Sequence, residues 1–143
     1  MANKLSVTVS TEINASPEKV WRAITEPALI KQYMYGTDTT SDWKKGSSIT
    51  YKGVYNGKAY EDKGEIIDII PQKLLHTTHF SPMTGKEDKP ENYAHVIQEL
   101  TPQGGITKIT LTQDNIATEK EAEQMRQNWT GILDGMKKTV EAL

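Results

Sequence analysis

Leu5-Ser6-Val7-Thr8-Val9-Ser10-Thr11-Glu12-Ile13, followed at once by Ser16-Pro17-Glu18-Lys19-Val20-Trp21, opens the chain. Leu5, Val7, Val9 and Ile13 alternate with Ser6, Thr8, Ser10 and Glu12, the period of a half-buried strand. Ser16 can cap a helix, and Pro17 fits its first position, where a missing N–H costs nothing. Val20, Trp21 and Ile24 then form an apolar face. Pro27 ends this helix and starts a second short one through Leu29 and Ile30.

Outward from that opening, a polar stretch runs from Gly36 to Gly46, read as loop, and strands fill the middle of the chain. Asn56-Gly57 marks a hairpin, because a type I′ turn needs φ > 0 at both central residues. Pro71-Gln72 marks a second and predicts pairing of Ile69 with Leu74 and of Ile67 with His76. Ser81 to Pro90, rich in Lys, Asp, Glu, Gly and Pro, reads as a flexible loop or lid. A third hairpin pairs 93–100 with 106–113 around Pro102-Gln103-Gly104-Gly105. Thr118 with Glu121 is a capping box. It opens a long helix whose apolar stripe runs through Ala122, Met125, Trp129, Ile132, Leu133, Met136 and Val140. The expected fold is α+β: a curved antiparallel sheet of about six strands, two short N-terminal helices and one long C-terminal helix enclosing a cavity.

Composition narrows the function. The 143 residues fit one domain spanning 1–143. With 17 Lys and Arg against 19 Asp and Glu, the net charge of −2 gives no reason to expect a nucleic-acid partner. The absence of cysteine excludes disulfides, thiolate nucleophiles and cysteine-based metal sites. No apolar run approaches the roughly 18 residues that a membrane span requires. Met1-Ala2-Asn3-Lys4 leads into the strand without a leader's apolar region. A cytoplasmic monomer or weak dimer is the expectation.

Four segments carry a family resemblance. They are Asn14-Ala15-Ser16-Pro17-Glu18-Lys19-Val20-Trp21-Arg22-Ala23-Ile24-Thr25, Lys63-Gly64-Glu65-Ile66-Ile67-Asp68-Ile69-Ile70-Pro71-Gln72-Lys73-Leu74, Gly104 to Thr112, and Asn128-Trp129-Thr130-Gly131-Ile132-Leu133. In this order they resemble the SRPBCC (START-like, Bet v 1-like) superfamily, and within it the domain family named after the Hsp90 ATPase activator. The chain departs from that family's pattern at Tyr33-Met34, at Gly46-Ser47 and at Thr78. The resemblance implies a helix-grip fold whose cavity takes up small apolar or amphipathic molecules. It also implies a chaperone partner as an alternative, although the chain is too short for the cochaperone's additional N-terminal domain.

Strand parity nominates the cavity residues. Val96, Leu100, Ile109 and Leu111 share a face with Ala94, Gln98, Thr107 and Gln113, so two amides stand on an apolar wall. On the second hairpin, Ile67, Ile69, Leu74, His76, Thr78 and Phe80 share the inward face, together with Lys63 and Glu65 if the strand is regular. A single bulge would flip this parity and bring His79 inward instead. The candidate ligand-binding residues are therefore His76, Thr78, Phe80, Gln98, Gln113, Met125, Trp129, Met136 and Tyr33, with Tyr35 and Trp43 as possible rim residues. His76 and His79 have opposite parity, and no histidine spacing matches a metal site, so no metal and no cofactor is expected. The leading expectation is non-enzymatic binding of a lipid-like or aromatic molecule. The alternatives are a cochaperone-like interaction protein, or a cyclase- or hydrolase-type enzyme using His76 with Glu65 or a glutamine.

Overall fold

The computed structural model describes residues 4–143; the leader reading of Met1, Ala2 and Asn3 lies outside them. Strand β1 (Leu5–Ile13) leads into helices α1 (Pro17–Thr25) and α2 (Pro27–Tyr33). Strands β2 (Asp38–Ser41), β3 (Ser48–Tyr55), β4 (Lys58–Ile70), β5 (Leu74–His79), β6 (Ala94–Gln103) and β7 (Ile106–Ile116) follow, and α3 (Glu119–Glu141) closes the chain. The strands form one antiparallel sheet in the order β1-β7-β6-β5-β4-β3-β2.

Local signals account for most boundaries. Ser16 Oγ accepts from Lys19 N–H at 3.4 Å, and Thr118 Oγ1 accepts from Glu121 N–H at 3.1 Å, capping α1 and α3. Asn56 and Gly57 take φ of 51° and 78°, and Gly104 and Gly105 take 59° and 93°, giving two tight hairpins. Strand β2 corrects the sequence reading, because it lies inside the predicted Gly36–Gly46 loop. Only Thr39 of its four residues is buried, so no apolar alternation marks it. The predicted lid at 81–90 contains the short 3₁₀ turn Pro82–Thr84, with a second, Pro90–Asn92, at its end. It is tied down by Asn92 Nδ2 donating to Glu87 O at 2.8 Å, Tyr93 O–H donating to Asp88 at 2.5 Å, and a Lys63–Asp88 ion pair.

The second hairpin differs from expectation in a way that decides the site. Its loop holds three residues rather than two: Ile70 pairs with Leu74, and Gln72 enters the left-handed region at φ 66°. Ile69 therefore faces Leu75, not Leu74. One residue of slip turns every β5 side chain to the opposite face. A bulge follows in β4, where Ile67 is the extra residue between the pairs Asp68–His76 and Ile66–Thr77. Upstream of it, Ile66 points into the core in place of Ile67, and the alternation continues inward through Gly64, Asp62 and Tyr60.

Helix α3 packs across β1 and β7 and against α1 and α2. The main core gathers Ile13, Val20, Ile66, Ile109, Leu133 and Met136, all below 2% exposed. A smaller cluster of Val7, Ile116 and Ala122 lies under the start of α3.

Candidate ligand-binding cavity

Between α3 and the sheet lies a cavity of about 630 Å³, within the 300–1,000 Å³ typical of small-molecule sites. One wall comes from Trp129, Ile132 and Met136 on α3, and the opposite wall from Leu75, Val96, Gln98 and Leu111. Tyr33 closes one side and donates its hydroxyl proton to Ala23 O at 2.7 Å. Burial raises the Tyr33 phenol pKa, so the ring stays neutral. Tyr35, Val54, Tyr55 and Met83 line the cavity yet are strongly exposed, and they mark its mouth. Tyr35 and Trp43, the suggested rim residues, both line the cavity in left-handed backbone conformation, with φ of 55° and 56°.

The nominated residues separate into two groups. Tyr33, Gln98, Trp129 and Met136 stand on the cavity wall. Gln113 points the same way, but its Oε1 accepts from Trp129 Nε1–H at 2.7 Å and fixes the indole. The other four are corrected. Met125 lies on the α3 stripe but packs into the smaller cluster near Val7, at the other end of the helix. Phe80 is buried against Tyr93, with ring centroids 5.0 Å apart, away from the lining. His76 and Thr78 face away from α3, because the three-residue loop reverses β5. Thr78 Oγ1 there accepts from Glu65 N–H at 2.9 Å. Lys63 and Glu65 share that outer side, since the Ile67 bulge reverses β4.

On the outer face His76 Nε2 lies 2.8 Å from His95 Nδ1. Partial burial, and then the neighbouring His95, lower the pKa of His76. A histidine pKa lowered in the folded state means the unfolded chain binds more protons, so this term is fully present above the unfolded value of roughly 6.5. It is lost as pH falls from there through the folded value. His76→Gln is therefore expected to flatten the loss of stability below about pH 6.5. Urea midpoints measured across that range test this; parallel profiles for parent and variant would refute it.

In place of His76, the structure brings His79 inward, with a row of polar partners that single-strand parity did not reveal. The register aligns Thr39 with Tyr51 and Tyr51 with Asp62 across β2, β3 and β4. All three line the cavity, and His79 joins them from β5. His79 Nε2–H donates to Asp62 Oδ2 at 3.1 Å, and the Tyr51 and His79 rings lie 5.8 Å apart. Burial, reinforced by the Asp62 carboxylate, pushes the Tyr51 phenol well above its ordinary pKa, so it remains protonated. One rung along, Thr37 Oγ1 donates to Met34 O at 2.6 Å and meets the Tyr60 hydroxyl at 2.5 Å. Among the described residues, two buried side-chain oxygens lack a hydrogen-bond partner: Thr39 Oγ1 and Asp62 Oδ1. A buried polar atom left so costs about 1–3 kcal/mol, and more when charged. No sequence signal marked Asp62 as inward, because the bulge at Ile67 that turns it there leaves no pattern among Ile66, Ile67, Ile69 and Ile70. No group of three or more metal-ligating side chains converges among the described residues.

A curved antiparallel sheet wrapped around one long helix, with a cavity between them, defines the helix-grip class of START-like, Bet v 1-like proteins. Within it the chain belongs to the family described as Activator of Hsp90 ATPase homolog 1-like protein, whose model matches residues 14–141. It is similar to the solution structure of ChR145 from Cytophaga hutchinsonii, at 48% identity and TM-score 0.86, covering 99% of this chain and 97% of that one. The Aha1 dimer from Colwellia psychrerythraea matches at 23% identity and TM-score 0.73, covering 96% of each chain. CalU16 from Micromonospora echinospora matches at 20% and 0.71, covering 94% of this chain and 75% of that one. The latter two show the fold alone. No curated protein matches the chain. No described helix is long and apolar enough to cross a membrane.

Proposed function

We propose that this chain binds a small apolar or amphipathic molecule in the cavity between α3 and the sheet and releases it chemically unchanged. The observation that carries the reading is the cavity itself. It is about 630 Å³ in volume, walled mainly by apolar side chains such as Ile132, Met136, Leu75, Val96 and Leu111, with Thr39, Asp62, His79 and Gln98 among the polar groups. Small-molecule sites combine these properties: a mostly apolar wall for affinity and a few placed polar groups for orientation. Met136 adds an adaptable thioether surface.

An amide NMR titration with fatty acids, sterols, flavonoids and polyketide-like aromatics tests the proposal. Saturable shifts are expected at Gln98, Leu111, Trp129 and Ile132, with the added compound recovered intact by mass spectrometry. Shifts confined to the outer face, or none at all, would reject it. Family membership favours a second reading, a cochaperone-like interaction through the exterior; stimulation of an Hsp90-type ATPase by the purified chain would support it.

A further inference from the structure

We propose that the row formed by Thr39, Tyr51, Asp62 and His79 is the head-group site of the cavity, selecting ligands that present a hydrogen-bond donor, a hydroxyl or ammonium, over ligands ending in a carboxylate. This rests on the reading that the cavity binds a ligand at all. The four side chains come from four adjacent strands and line the same cavity. Along β3, Tyr51 stands between Ile49, which is 1% exposed, and the exposed tip at Val54 and Tyr55. A head group bound at this row sits between mouth and core, with its apolar body directed towards α3.

The chemistry follows from what each atom can do. An ionised carboxylate only accepts hydrogen bonds. Asp62 Oδ2 already accepts from His79, whereas Asp62 Oδ1 is buried and receives no donor from the described residues. Thr39 Oγ1 is likewise buried and unpartnered, on the strand beyond Tyr51. A ligand hydroxyl or ammonium can donate to Asp62, while Thr39, two strands away across Tyr51, offers a separate hydrogen-bonding position to a second polar group of a larger ligand. A ligand carboxylate would instead place a second acceptor-only anion against Asp62, and two like charges in one site oppose each other.

The experiment uses three probes with one apolar body: 2-naphthol, 2-naphthylmethylamine and 2-naphthoate. Dissociation constants are measured near neutral pH by NMR titration, for the parent chain, Asp62→Asn and Thr39→Val. In the parent, naphthol and the amine are expected to bind about tenfold or more tightly than naphthoate, as for one charge-assisted hydrogen bond gained or lost. The amide of Asp62→Asn both donates and accepts, so naphthoate should gain affinity, the amine should lose it, and the preference should collapse. Thr39→Val, which leaves the carboxylate in place two strands away, should keep the order of the three probes unchanged. If all three probes bind alike in the parent, or naphthoate binds best, the head-group site is overturned while cavity binding stands, and the unpartnered oxygens serve bound water. If none shifts any cavity residue, the binding reading fails and this proposal falls with it.

Discussion

Replacing Gly64 by alanine is expected to cost about 3 kcal/mol, the upper part of the range for forcing an extra methyl into packed structure. For a chain of this size that lowers the melting temperature by roughly 10 °C. A Cβ built on Gly64 overlaps the main-chain carbonyl of Thr78, which belongs to the neighbouring strand and cannot rotate away. Nearby, Lys63 and Phe80 exchange main-chain hydrogen bonds at 2.9 and 2.7 Å, so separating β4 from β5 breaks them as well. Gly53 supplies the contrast. Its added Cβ would lie 2.5 Å from the Tyr60 hydroxyl, a side chain that can swing aside. Gly53→Ala should therefore melt much closer to the parent and should release Thr37 from Tyr60. Thermal unfolding followed by circular dichroism tests the pair; equal losses would show that the close approach at Gly64 is not what limits the site.

The second large effect lies on α3. Leu133 is 1% exposed and packed in the main core, so Leu133→Ala should destabilise by about 2–5 kcal/mol. Ile132, one residue earlier, faces the cavity and is only partly buried. A side chain bordering open space has fewer partner atoms to lose, so Ile132→Ala should cost clearly less. In return it enlarges the cavity and should alter which naphthalene- or sterol-sized probes bind. Urea unfolding of both variants decides the matter. A larger loss at Ile132 would mean that the cavity collapses onto α3 in solution.

Features encoded over a few residues were legible in the sequence. Asn56-Gly57 needed only its own φ preferences, and Ser16 and Thr118 needed only the amides three positions on. The inward faces of β6 and β7 were also legible, because Val96, Leu100, Ile109 and Leu111 alternate without interruption. Parity failed at the second hairpin for a definite reason. Ile66, Ile67, Ile69 and Ile70 offer four similar side chains, and apolarity alone does not say which one the strand leaves out of register. The competition is settled by burial of Ile66 in the shared core, which turns Lys63 and Glu65 outward; His76 and Thr78 were placed on the wrong face because the loop after Ile70 holds three residues, and His79 on the right one only as an alternative. Met125 was misassigned because a stripe along α3 records which side of the helix is buried, not which of two clusters each residue enters. Strand β2 escaped notice because it is held by the edge of β3 rather than by an apolar pattern of its own.

The extra residue at Ile67 also reaches beyond this chain. With the strand regular, Lys63 and Glu65 would project into the interior and Asp62 would face solvent, so which charged groups line the cavity depends on a single-residue insertion. Such a scaffold can change its chemistry in one evolutionary step, by gaining or losing a codon, while every side chain in the strand keeps its identity.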